Sequence, residues 1–252
     1  MKEFFIKLIG GVLGFILILT FTVGISVIEN VFYQSIDFIT DKFTSSVGNF
    51  FSGDRPVEVE EINGIWVEKG TTEPFTGVGC DYFEDVGGKP TKSIHEITDG
   101  VLNGRYQGFY STGGISEFGY YKNGVPNGKS VELHQNGKIK REMDFINGKL
   151  TGVVKEYFDN GNLDVISPIK DGLRHGIVKV YNEDGYLSSE IPYENGLTHG
   201  VSRTYHPNGE LMATVEHVDG KREGIGKWYN LDGSLKMKIL FKSNEEVEVD
   251  EY

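Results

Sequence analysis

Residues 148–171 read GKLTGVVKEYFDNGNLDVISPIKD, and residues 172–195 read GLRHGIVKVYNEDGYLSSEIPYEN. The two stretches agree in frame at their leading glycines, at Gly152 and Gly176, at Tyr157 and Tyr181, at Gly161 and Gly185, and at Leu163 and Leu187. Outward from this pair, (Asn/Asp)-Gly dipeptides end at Gly100, Gly124, Gly148, Gly172, Gly196 and Gly220, each 24 residues after the last. A second series holds Gly104, Gly128, Gly152, Gly176, Gly200 and Gly224, and a third holds Gly113, Gly137, Gly161, Gly185, Gly209 and Gly233. Self-similarity in one unbroken frame means stacked structural repeats. Residues 75–99 form a seventh, imperfect unit in which Gly77 and Tyr82 keep the spacing.

Within a unit, two short apolar runs flank Asp159-Asn160-Gly161, and Asn-Gly or Asp-Gly recurs there at 136–137, 184–185, 208–209 and 232–233. This is the hairpin signal, so each unit is two antiparallel strands, and (Asn/Asp)-Gly-x-x-x-Gly is the wider turn to the next. At ~4.8 Å per strand, six units of two strands extend ~58 Å before twist. A propeller blade needs four strands and ~40 residues, so 24 is too few. The apolar places are Val153 and Tyr157 in the first strand, then Leu163 with the places held by Ile191, Val215 and Ile239 and by Phe145, Ile169, Tyr193 and Phe241 in the second. A three-residue loop with glycine at φ > 0 sets these on one face. It pairs Tyr157 with Leu163, Tyr181 with Leu187 and Tyr205 with Leu211. The fold class expected is all-β, an elongated single-sheet array of antiparallel hairpins over residues 63–242.

Thirty-four glycines in 252 residues are about twice the ordinary usage, and seven prolines exclude a collagen-like chain. The lone cysteine, Cys80, excludes an internal disulfide framework and paired-Cys zinc sites, and reads as a partly buried small apolar residue. The net charge of −12 sits in the flanks, −4 in residues 1–62 and −5 from Ser243 onward, leaving −3 between them. No basic domain exists to take nucleic acid.

Leu8 to Ile28 is a run of 21 uncharged residues, enough to cross a hydrocarbon core of ~30 Å. Lys2 and Lys7 precede it, and Glu29, Asp37 and Asp41 follow. The positive-inside rule puts residues 1–7 in the cytoplasm and everything after the anchor at 8–28 outside. A cleaved signal peptide is the rival reading, with Gly24-Ile25-Ser26 as its small-x-small site. Phe32, Ile36, Ile39, Phe43, Val47 and Phe50 make a helical stripe over 29–51. Residues 52–62 read as an acidic linker and 243–252 as an acidic disordered tail.

The unit Tyr-x-x-(Asn/Asp)-Gly-x-Leu followed by (Asn/Asp)-Gly-x-x-x-Gly resembles the MORN repeat in its bacterial variant, as in the YwqK-type antitoxins of toxin–antitoxin modules. The resemblance covers residues 73–242 and departs from the pattern at Phe109 and Leu133, which stand at Tyr positions. It implies a hairpin array and a protein-binding, toxin-neutralising role, with lipid or scaffold roles in related eukaryotic repeats.

No phosphate loop, nucleophile elbow or zincin motif is present, so no catalytic, cofactor or metal residues are assigned and the chain reads as a non-enzyme. His175 and His199 occupy equivalent turn places about two strand spacings apart, too far for one zinc ion. The candidate site is a ladder: Lys155, Lys179, Arg203 and Lys227 stand two residues before Tyr157, Tyr181, Tyr205 and Tyr229, hence on their face. Cations in a fully buried row cost too much, so either their stems snorkel over the tyrosines or the face is an open groove. Such a groove suits a protein partner, and the alternative occupant is an anionic lipid or envelope polymer.

Overall fold

A computed structural model describes residues 55–84 and 87–252; the expected anchor at 8–28 and the helix at 29–51 lie outside the described residues. The described chain is all-β, a single mixed sheet of 20 strands, with no helix among the described residues. Consecutive strands pair antiparallel from Gly77–Glu84 through to Glu245–Glu251. The parallel contact is Val57–Ile62 against Gly77–Glu84.

The hairpin loops follow the spacing of their glycines. Gly161 has φ 92° and donates to Phe158 O at 2.9 Å, while Phe158 N donates to Asn162 O at 2.8 Å. That is a turn with glycine in the left-handed place, which costs glycine nothing sterically. Tyr157 pairs with Leu163, Tyr181 with Leu187 and Tyr205 with Leu211, as expected.

The expectation of one apolar face fails beyond that pair. Glu156 pairs with Val165, so Asp164 is an extra residue in a β-bulge, and the same shift recurs after Leu187, Leu211 and Leu235. One extra residue sends the rest of the strand to the other side of the sheet. Ile191, Val215 and Ile239 therefore stand opposite Val178, Ser202 and Gly226, and Ile169, Tyr193 and Phe241 opposite Gly152, Gly176 and Gly224. All lie on the face away from Tyr157 and Leu163. Core burial follows them: Val154 and Val178 are 6% and 2% exposed, whereas Val153, Ile177, Val201 and Ile225 are 41%, 48%, 40% and 52% exposed.

The turns between units are tighter than expected. Asn147 (φ 50°) and Gly148 (φ 79°) join Ile146 directly to its partner Lys149, a two-residue type I′ turn. Asn and Asp tolerate that left-handed place better than other side chains. These turns stack: Gly148 N donates to Pro126 O at 2.8 Å and Gly196 N to Arg174 O at 2.9 Å. In several units the residue before the second glycine accepts the next turn's N–H. Asn127 Oδ1 takes it from Asn147 at 3.0 Å, His175 Nδ1 from Asn195 at 3.5 Å and Glu223 Oε1 from Ser243 at 2.8 Å. At the other edge, His134 Nε2 meets Tyr157 O at 2.8 Å and Asn160 Nδ2 donates to Glu183 O at 3.0 Å.

Both flanking segments prove to be strands. Val57–Ile62 lies within the expected linker, pairs with Ile65–Glu68, and carries Val59 to 3% exposure. Its alternating Val57, Val59 and Glu58, Glu60 fit a half-buried strand, and Gly79 lies so close to Val59 (2.8 Å from an added Cβ) that no side chain fits there. The expected disordered tail holds Glu245–Glu251, which pairs with Leu235–Lys242. The bare edge of the last hairpin offers unpaired backbone groups and lysines, and Asp250 opposite Lys238 and Glu245 opposite Lys242 satisfy both.

Candidate interaction surface

Lys155, Tyr157, Lys179, Tyr181, Arg203, Tyr205, Lys227 and Tyr229 lie on one face, linked through cross-strand partners: Lys155 with Glu142 and Ile166, Lys179 with Ile166 and Glu190, Arg203 with Glu190 and Thr214, Lys227 with Thr214 and Lys238. The cation row is thus interleaved with carboxylates, which the spacing of the lysines alone could not reveal. Tyr157 Oη donates to Glu142 Oε2 and Tyr205 Oη to Glu190 Oε2, each at 2.9 Å. Lys179 Nζ stands 3.7 Å from Glu190. Burial, then the Glu190 carboxylate, holds the Tyr205 phenol above its ordinary range.

Two features extend this face. Toward the type I′ edge it carries the exposed row Val153, Ile177, Val201 and Ile225, with Pro168 opposite Val153 and Pro192 opposite Ile177. The prolines sit beside the register shift at Gly176 and Gly200, where the ladder is broken, which suits residues with no N–H to give. Toward the units preceding residue 134, Val131, Leu133 and Phe118 occupy this same face and are buried at 3%, 4% and 2% exposure. The face therefore opens only from Lys155 onward.

On the opposite face Arg141 bridges Glu132 and Glu156 at 3.2 Å each. Burial pulls its guanidinium down, but the two carboxylates outweigh that and hold it above its ordinary range. At the first unit, His95 Nε2 meets Ser93 Oγ at 2.5 Å and Asp81 Oδ1 at 2.9 Å, between the rings of Trp66 and Tyr106. Both partners share one ring nitrogen, and Nδ1 is buried with no hydrogen-bond partner. A nucleophilic triad needs Asp and Ser on different nitrogens, so this geometry does not build one. His175 and His199 act in turn stacking, the latter 3.4 Å from Asp219.

The residues described build a hairpin-repeat array with one mixed-charge, aromatic face and no assembled catalytic constellation among the described residues. The family description "MORN repeat variant" matches residues 126–147, 150–171, 174–195, 198–219 and 222–243, five consecutive units of the array. No curated protein matches the chain.

Proposed function

We propose that this is a non-enzymatic, protein-binding MORN-type array, tethered to a membrane through residues 8–28 with its repeats on the extracytoplasmic side. What supports it most is the exposed row Val153, Ile177, Val201 and Ile225 beside the cation–tyrosine ladder, a contiguous apolar and charged face left uncovered. A toxin is the first partner class to test, because the sequence resembles the bacterial variant seen in antitoxins. The lipid or envelope-polymer alternative is the weaker reading, since Glu142 and Glu190 offset the cations a polyanion would use. Changing Lys155, Lys179, Arg203 and Lys227 together to Gln keeps most of the side-chain length and removes charge. The quadruple variant should match the parent by circular dichroism, weaken the captured protein partner, and abolish the salt dependence of its binding. Unchanged affinity would move the binding surface to the Glu132–Arg141–Glu156 face. Retained co-sedimentation of the parent with phosphatidylglycerol vesicles, lost in the variant, would favour the lipid reading.

A further inference from the structure

Two hollows open on the ladder face, and both belong to the units around the strand Gly200–Tyr205. One, of about 280 Å³, is lined by Ile177, Pro192, Val201, Glu190 and Arg203. The other, of about 500 Å³, lies between neighbouring hairpin loops and is lined by Tyr186, Leu187, Tyr205 and Pro207. Val201, Arg203 and Tyr205 alternate along one strand, so all three point to the same side. An apolar hollow, a charged waist and an aromatic hollow thus follow one another over ~13 Å, four residues at ~3.3 Å each. This track is not repeat-imposed. Tyr186 stands where other units have Gly114, Lys138, Asn162, Glu210 and Ser234, and Pro207 where they have Asp159, Glu183 and Leu231.

The waist is electrostatically uneven. The Glu190 carboxylate is engaged by Tyr205 Oη at 2.9 Å and by Lys179 Nζ at 3.7 Å. Arg203 makes no hydrogen bond or ion pair with another described residue. A guanidinium with free planar donors beside an apolar wall is a receptor for a carboxylate.

We propose that this track docks an extended segment of a protein partner, with an apolar residue, an acidic residue and an aromatic residue at alternating positions. In an extended peptide, side chains at i, i+2 and i+4 share a face and span the same ~13 Å. The apolar residue fills the hollow beside Ile177, Pro192 and Val201. The carboxylate pairs with Arg203, and the aromatic ring sits against Tyr186, Tyr205 and Pro207. The inference rests on the protein-binding reading above and narrows it to one class of ligand.

The test uses the full chain in detergent and three fluorescein-labelled decapeptides, read by fluorescence polarisation. Their cores are Leu-Thr-Glu-Thr-Phe, Leu-Thr-Lys-Thr-Phe and the out-of-register Thr-Leu-Glu-Phe-Thr. The first should bind at least about tenfold tighter than the other two, the scale of one charge-assisted contact. Arg203→Glu should reverse the preference, favouring the lysine core, whereas Lys149→Gln, an exposed position outside both the track and the ladder, should leave it unchanged. Equal binding of all three peptides, or a preference that Arg203→Glu does not reverse, overturns the proposal. Absence of any peptide binding overturns it too. In that case a captured partner still lost in the quadruple Gln variant would leave the array reading standing without the track.

Discussion

Gly185 has φ 88° and no heavy atom within 4 Å of where a Cβ would stand, so a substitution there meets strain and no clash. Gly185→Val should cost more than about 1 kcal/mol in chemical denaturation, because a β-branched residue is forced into the left-handed region. A neutral result would contradict the turn geometry. Gly100 differs, since an added Cβ would stand 2.5 Å from Ile65, so there the substitution is opposed by packing as well as by φ. Glycine spacing made these turns legible, but the acceptor role of Asn127, His175 and Glu223 was not. Three unlike side chains share only the ability to receive an N–H, a property that no residue-type pattern displays. His217 offers a test at the same scale. Burial, then the Arg222 charge, lowers its pKa below the ordinary 6.5, and Ser202 Oγ lies 3.0 Å from Nε2. The unfolded chain then binds the proton more readily, so stability is full above pH 6.5 and declines as pH falls through the window below it. Thermal midpoints should drop across that window in the parent, and His217→Gln should flatten the dependence.

Strand parity shows why the core face was misread while the hairpin register was not. Tyr157 and Leu163 are fixed by the loop between them, and that loop is written in Asn-Gly. The bulge at Asp164 carries no marker of its own, because Asp164, Ser188, Met212 and Lys236 have nothing in common. Val153 and Val154 are also both apolar, so alternation could not choose between them. The choice is measurable. Val178→Ala should cost ~1–3 kcal/mol as a buried truncation, whereas Ile177→Ser, one residue away at 48% exposure, should stay within about 0.5 kcal/mol. Comparable losses at both would mean that both faces are covered. The acidic end misled for a related reason. Its composition suits a solvated tail, but Val247 and Val249 recur at strand spacing, Val249 pairs with Ile239, and the lysines opposite Asp250 and Glu245 belong to the preceding strand. Only tertiary context supplies that partner.

Stacking makes the array modular, because hydrogen bonds and side-chain contacts run mainly between adjacent hairpins. The type I′ turns give natural seams: removing Gly148–Asp171 joins Asn147 to Gly172, and removing Gly196–Asp219 joins Asn195 to Gly220, each restoring an Asn-Gly turn. Each excision takes out 24 residues, an even number of strands, so the faces keep their sides. Both variants should fold with β-rich circular dichroism and one cooperative transition at lower temperature, since each loses one unit and one interface. The two should part company at the peptide track. Loss of 148–171 leaves Ile177, Tyr186, Pro192, Val201, Arg203 and Tyr205 in consecutive units, so the Leu-Thr-Glu-Thr-Phe decapeptide should still bind. Loss of 196–219 removes Val201, Arg203, Tyr205 and Pro207 and brings Lys227 and Tyr229 into their places without a counterpart of Pro207, so binding should vanish. Equal binding by the two excised proteins would mean that any cation–tyrosine unit suffices, and that recognition is spread along the ladder instead of being concentrated on one strand.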